Sequence, residues 1–517
     1  MKFGRTSFLR QTKALTLIFL IAPLGTAAQE PLSAIDWLDA PVSVSVAAPR
    51  SVSPNEAPIS QGVTTPDVAV MPLGAQRSDS VGLLPSATTG LPPDLWLAST
   101  TATLKAQLSA MPDHALPASQ ALYYTLLLAE AEPPADAGAD TAFLIARLNA
   151  LRSYGAIDPA LALLDRAGPA TPTLFDDWLD LALLAGVEDA PCAALAKRPA
   201  LTDRYSARIY CTARAGDWQT AALTFETAQG LGLLSALEAD LLAQFLDPEI
   251  IDTGPDLAPT ARMTPLIFRL YEAMGRPMPT GSLPRAYGMA DLRPTAGWKA
   301  RIEAAERLAQ TGALPPNRLL GLYTERTPAA SGGVWDRAKA IQRFDTALSS
   351  ARAERIAATL PEAWRAMRAQ GLQIVFAELF GRQVLDHTLP DGPAADLALR
   401  IALLSPDYER AAPKAAATQP FLAGLAQGNP EAKLARTDMQ QAIANAFTAS
   451  GPSADHAGLL NTGKLGQAIL SAALQLDTAG PRGYAEITSA LSTLRAVGLE
   501  DTARRAALQL LLLDARG

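Results

Sequence analysis

The stretch LRSYGAIDPALALLDRA (residues 151–167) decides the fold class. An apolar helical pattern runs into Gly155. A short turn follows, and a second helical pattern starts, with Ala160 five positions after the glycine. A glycine in that place closes the first helix in a left-handed backbone conformation. The small alanine lets the second helix pack closely on the first. The same joint recurs in CTARAGDWQTAALTFETA (211–228), with Gly216 and Ala221, and in LRAVGLEDTARRAALQL (494–510), with Gly498 and Ala503. LAQTGALPPNRLLGLY (308–323) keeps Gly312 but has Asn317 where the alanine would be.

Composition agrees with helix pairs. Hydrophobic residues make up 49% of the 517 and aromatics only 6%, so Ala and Leu carry the apolar fraction. Both are strong helix formers, whereas the β-branched residues that favour sheets are sparse. ALYYTLLLAEAE, TPTLFDDWLDLALLAG, SALEADLLAQFL, WKARIEAAERLAQTG and EITSALSTLRAVG each carry a broad apolar face, with Gly or Pro in nearly every gap. In the glycine joints the chain resembles tetratricopeptide-type helical-repeat proteins of the bacterial periplasm. That family stacks helix pairs into a curved solenoid and binds proteins or peptides in its concavity. The joints do not recur at the family's period of about 34 residues. The expected fold is therefore all-α: an irregular α-solenoid of short antiparallel helix pairs.

The N-terminus reads as an export signal. MKFGRTSFLRQTK holds four positive charges and no acid, and ALTLIFLIAPLG is an apolar core too short for a typical spanning helix. Small residues then place cleavage after Ala28, so residues 1–28 are the signal peptide; an uncleaved anchor is the other reading. No later stretch has the length and purity of a membrane span, and the mature chain is expected in the periplasm. Residues 29–39 (QEPLSAIDWLD) form a short docking helix, with Ile35, Trp37 and Leu38 as candidate partner contacts. Residues 40–93, with nine prolines and five charged residues, are a Pro-rich linker. A short apolar helix on a tether suits a peptide that lies in a groove. An acidic helical-repeat region (94–260), a basic helical region (261–410) and a C-terminal helical region (411–517) follow.

The net charge of −7 is unevenly spread. Residues 111–260 hold 21 acids and 8 bases, and residues 261–370 hold 17 bases and 9 acids. Such blocks either steer a partner or face one another within the fold. An exported acidic chain without basic runs among aromatics is not a nucleic-acid binder. Cys192 and Cys211 flank a helix, a Pro-containing turn and a helix. In an oxidising compartment this favours a disulfide, worth about 3 kcal/mol in the chain-entropy model; two separate buried thiols are the alternative. The spacing is unlike the C-x-x-C of redox-active pairs.

Chemistry is sparse. His114, His387 and His456 each follow an aspartate, and all three read as polar loop residues without a shared metal. The zinc-protease, nucleophile-elbow and phosphate-loop motifs are missing. The superhelical domains of lytic transglycosylases come with a catalytic Glu-Ser pair, and this sequence holds no such dipeptide. Carboxylate pairs such as Asp176/Asp177 and Glu303/Glu306 read as solvated helix faces. The densest cluster of unusual residues lies at 293–343, with Trp298, Tyr323, Arg326, Trp335, Arg337 and Arg343 as candidate partner-binding residues, since Arg with Trp and Tyr is the composition of binding hot spots. The alternative is that the aromatics are core anchors and the arginines run out to solvent. Within it LYTERTPAASGGVWDRAKAIQ (322–342) reads as an inter-helix connection, with Pro328, Gly332 and Gly333 as turn signals.

The sequence thus points to a non-catalytic periplasmic scaffold or adaptor, without cofactor, that binds another cell-envelope protein. Its layout is also similar in outline to periplasmic motility proteins that support flagellar motors. The competing reading is a peptidoglycan-binding or cell-wall-modifying protein that engages an anionic glycan through the basic central block.

Overall fold

The glycine joints set the local geometry. Gly155 takes φ +80° after the Ala142–Ser153 helix, and its N–H donates to the Arg152 carbonyl. The Ala156 N–H reaches back to the Leu151 carbonyl. This pair of bonds closes a helix through a left-handed residue. It recurs at Gly216 (φ +88°), with Asp217 N–H on Thr212, and at Gly498 (φ +88°), with Leu499 N–H on Leu494. Ala160, Ala221 and Ala503 are fully buried where the second helix meets the first. Gly312 closes its helix in the same way, and Asn317, which replaces the alanine, faces solvent.

The computed structural model describes residues 78–138, 140–247, 249, 257, 262–480 and 482–513. Among them are twenty-five α-helices and no strand, so the fold is all-α with helix pairs packed together. No helix among the described residues is long and apolar enough to cross a membrane. The signal-peptide and 29–39 readings lie outside the described residues.

Neighbouring helices pack in succession, and the succession closes on itself. The Pro117–Leu128 helix packs on Leu465–Thr478 and Glu500–Leu512. Its start has no cap from the adjoining residues. Instead Leu116 N–H donates to Asp477 Oδ1 (2.8 Å) and Ala118 N–H to Gln509 Oε1 (2.8 Å). Pro117 lies between them and has no N–H to satisfy. Tyr123 Oη donates to the second Asp477 oxygen (2.8 Å), and Gly466 N–H donates to the Leu95 carbonyl (3.0 Å). A Cβ on Gly466 would stand 2.5 Å from the Trp96 ring, so only glycine fits there.

Two hydrophobic cores result. The larger runs from Val81 to Leu512 and joins early helices to late ones. The smaller draws on residues 175–274, from Phe175 to Met274. The chain enters it through Phe175–Ala185 and leaves through Pro265–Ala273, which packs back on that same helix. The Cys192–Cys211 disulfide joins two helices of this lobe, Asp189–Lys197 and Tyr205–Arg214, with Cα atoms 5.0 Å apart.

The linker boundary differs from the sequence reading. Residues 78–93 belong to the folded body, where Val81 and Leu91 are buried. The cause is Arg147, which is buried and donates to the carbonyls of Leu127 (2.8 Å), Val81 (2.8 Å), Asp79 (3.4 Å) and Ala129 (3.0 Å). Burial pulls its pKa down to about 10, against the pull of Asp79. Asp79 Oδ1 in turn accepts from Leu144 N–H (3.0 Å) at the start of Ala142–Ser153.

His456 is also a correction. It lies in the Ala454–Asn461 helix and is buried, with Nδ1 3.0 Å from both Ser453 Oγ and Thr493 Oγ1. The Asp455–His456 pair hid this, because adjacent helical residues point in different directions. His114 is exposed and His387 half-buried.

Two outcomes follow from these contacts. Asp477→Ala removes the carboxylate to which the Leu116 amide and the Tyr123 hydroxyl donate, at a cost of about 3 kcal/mol. Asp477→Asn costs less, and hydrogen exchange should show Pro117–Leu128, Leu465–Thr478 and Glu500–Leu512 losing protection together. Burial holds the His456 imidazole below its ordinary 6.5, with Asp455 opposing. Below that value the unfolded chain binds the extra proton, so stability falls as pH drops through 6.5 towards the folded-state pKa. Urea unfolding at about pH 7.5 and about pH 5.5 should show that loss in the native chain and a smaller one in His456→Gln.

Candidate functional site

The 293–343 cluster is built by three helices: Trp298–Ala309, Pro316–Thr324 and Val334–Ser349. The intervening loop carries Gly332 (φ +90°) and Gly333 (φ +54°), so the 322–342 stretch is an inter-helix connection. At its centre is Glu306, which the sequence reading placed on a solvated face. It is buried at 3% exposure. Tyr323 Oη donates to Glu306 Oε1 (2.6 Å), and Arg337 donates to both carboxylate oxygens (2.7 and 2.6 Å). Such a two-pronged guanidinium–carboxylate pair is the strong form of the ionic hydrogen bond. Burial pushes the Tyr323 hydroxyl well above its usual range, and Glu306 pushes the same way. For Arg337 burial opposes the charge, but the bond to Glu306 outweighs it and holds the guanidinium above its ordinary value.

The aromatics of the cluster look inward. Trp298 and Trp335 rings lie 5.0 Å apart, and Trp298 Nε1 donates to the Leu322 carbonyl (2.8 Å). Gln342 Nε2 ties down the loop by donating to the carbonyls of Tyr323 and Arg326 (2.7 Å each). The structure thus brings Tyr323 and Arg337 together on Glu306, and pairs Trp298 with Trp335 beside the Leu322 carbonyl. Arg326 and Arg343 are exposed, the first beside Glu325 (3.3 Å) and the second beside Glu362 (3.1 Å). Ile35, Trp37 and Leu38 lie outside the described residues.

A second site, in the disulfide lobe, was not singled out by sequence. Here Tyr210, Ala213, Arg214, Trp218, Phe245, Arg269, Glu272, Ala273 and Arg293 line an open cleft of ≈ 540 Å³. The Gly216 turn and the Asp217 cap, which accepts from Thr220 N–H (3.1 Å), set Trp218 at the first position of its helix. Trp218 and Tyr210 flank Phe245, at ring separations of 5.8 and 5.7 Å. Under the cleft Glu188 Oε1 accepts from Tyr210 Oη (3.0 Å) and Arg269 Nη2 (2.9 Å). Burial works against the Glu188 charge, yet the Arg269 bond outweighs it and holds the carboxyl below its ordinary pKa. Burial pushes the Tyr210 hydroxyl up to about 12. Glu272 pairs with Arg269 (2.6 Å) on one oxygen and with Arg293 on the other. Glu188 belongs to the acidic block and Arg269 to the basic one, so the two charge blocks meet here.

The only sequence signal for this cleft was Trp218 directly after a glycine turn and an Asp cap. Its other walls come from three further helices, Tyr205–Arg214, Ala236–Leu246 and Pro265–Ala273, and from Arg293, which no spacing links. Among the described residues no group of three or more His, Cys, Asp or Glu side chains is placed to hold a metal.

The Glu306 triad gives a stability outcome. Glu306→Gln leaves the Arg337 charge unmatched, at a cost of about 3 kcal/mol in chemical unfolding. Replacing all three members together, with Glu306→Leu, Tyr323→Phe and Arg337→Met, should recover most of the loss. No family model, curated protein or solved structure matches this chain.

Proposed function

We propose that this chain is a non-catalytic helical scaffold that binds another protein of the cell envelope, working in the periplasm. The disulfide between Cys192 and Cys211 supports an oxidising compartment, since cytosolic thiols are kept reduced. One observation carries the binding role. Of the six large apolar side chains that are exposed among the described residues, five fall within residues 187–233. Leu223 is 66% exposed and Leu231 67%, on and just after the Trp218–Gly230 helix, whose only buried members are Ala221 and Ala228. Apolar side chains concentrated on one surface mark a contact for another macromolecule.

A glycan-binding central block has less support. Arg337 is consumed by Glu306, Arg301 by Glu325 (2.8 Å), and Arg307 by the carbonyls of Thr280 and Leu283.

Photo-crosslinkers placed at Leu223, at Leu231 and at the exposed control position Asp203 test this reading in living cells. One discrete protein adduct from both leucine positions and none from Asp203 is the expected result. Equal labelling at all three positions, or none from the leucines, would remove the basis for the scaffold role.

A further inference from the structure

Scaffold residues alone do not account for the cleft beside that apolar helix. Three guanidiniums from different parts of the chain, Arg214, Arg269 and Arg293, converge there on an aromatic wall. Two carboxylates answer them. Glu272 is saturated, with Arg269 on one oxygen and Arg293 on the other. Glu188 is buried and already takes Tyr210 and Arg269. It lies 3.5 Å from Arg214, beyond a good hydrogen bond. The closest acid to Arg214 is Asp189 (3.2 Å), which stands almost fully in solvent, where such a pair is screened and easily replaced. The cleft therefore holds one cation in excess of its buried acids, with Arg214 as its open member.

The rim is apolar. Trp218 is 49% exposed on one side. Val187 is 55% exposed between Gly186 and Glu188. Gly186 approaches the Arg293 side chain so closely that a Cβ there would sit 3.2 Å from Cδ, and Glu188 bonds Arg269, so Val187 lies between two residues that reach the cleft's arginines. An occupant must thus offer a carboxylate inward and a bulky apolar group to the rim.

We propose that the cleft lined by Tyr210, Arg214, Trp218, Phe245 and Arg293 receives an acidic residue flanked by a large apolar one from the partner protein. This inference rests on the scaffold reading and names the chemistry of its contact. The carboxylate displaces Asp189 and takes the Arg214 fork in the two-pronged geometry that guanidinium favours. The apolar neighbour covers Trp218 and Val187. A uronic-acid glycan would also meet the arginine, but its hydroxyls would face the apolar rim without partners, so a peptide is the better match.

The test uses the full-length protein and a fluorescein-labelled peptide, Gly-Asp-Phe-Leu-Glu-Gly, read by fluorescence anisotropy. Binding should weaken by at least about tenfold in Arg214→Ala, in Trp218→Ala, and when the peptide's acids are replaced by Asn and Gln. Arg352→Ala and Arg355→Ala, which remove exposed arginines elsewhere, should leave it unchanged. Both cleft side chains are partly exposed, so thermal melting should confirm that their variants fold. Absence of peptide binding, equal binding of the neutral peptide, or stronger binding of an oligogalacturonate would each overturn the proposal. If peptide binding fails while Leu223 and Leu231 still give their discrete adduct, the cleft assignment falls and the scaffold reading stands.

Discussion

The first turn of an α-helix leaves N–H groups that need acceptors, and this requirement organises the whole body. Several helices meet it locally, through Thr100, Asp217, Ser235, Thr264 and Thr437. Two do not. Pro117–Leu128 borrows Asp477 and Gln509 from the far end of the chain, and Ala142–Ser153 borrows Asp79 from the strap before it. A negative side chain at a helix start also meets the positive end of the helix dipole. The Pro117–Leu128 helix is therefore complete only when Leu465–Thr478 and Glu500–Leu512 are in place.

Buried charge follows the same economy. Arg147 has four carbonyls, Glu306 has Arg337 and Tyr323, and Glu188 has Arg269 and Tyr210. A buried ion pair adds little stability over an apolar pair of equal size, but breaking it is costly. These groups therefore act as fixing points. Each ties together segments that hydrophobic packing alone would allow to slide: the strap, the central hairpins and the disulfide lobe.

What could be read from the sequence was local. Gly155, Gly216 and Gly498 announce helix ends because the left-handed cap needs glycine there, and Ala160, Ala221 and Ala503 sit a fixed number of residues on. The disulfide was legible because both cysteines flank one hairpin. Glu306 was not. Its partners lie 17 and 31 residues away on other helices, so one buried ion triad looked like a surface acid and a pair of binding residues. Nothing in the sequence sets Leu223 and Leu231 apart, since an exposed leucine and a buried one are the same letter until the neighbouring helices are placed. The reach of Asp477 to Leu116 spans 361 positions, and no periodicity carries such information.

The packing of Pro117–Leu128 on Leu465–Thr478 and Glu500–Leu512 has a kinetic side. Contacts between distant positions must bear the entropy of closing a long loop before they reward it, which slows folding. The Pro117–Leu128 helix cannot obtain its acceptors until the Glu500–Leu512 helix has been synthesised. The disulfide lobe, whose partners all lie within about a hundred residues of one another, has no such wait. The expected order of folding is therefore the lobe first and the larger core last, once Leu465–Thr478 and Glu500–Leu512 are available to Pro117–Leu128.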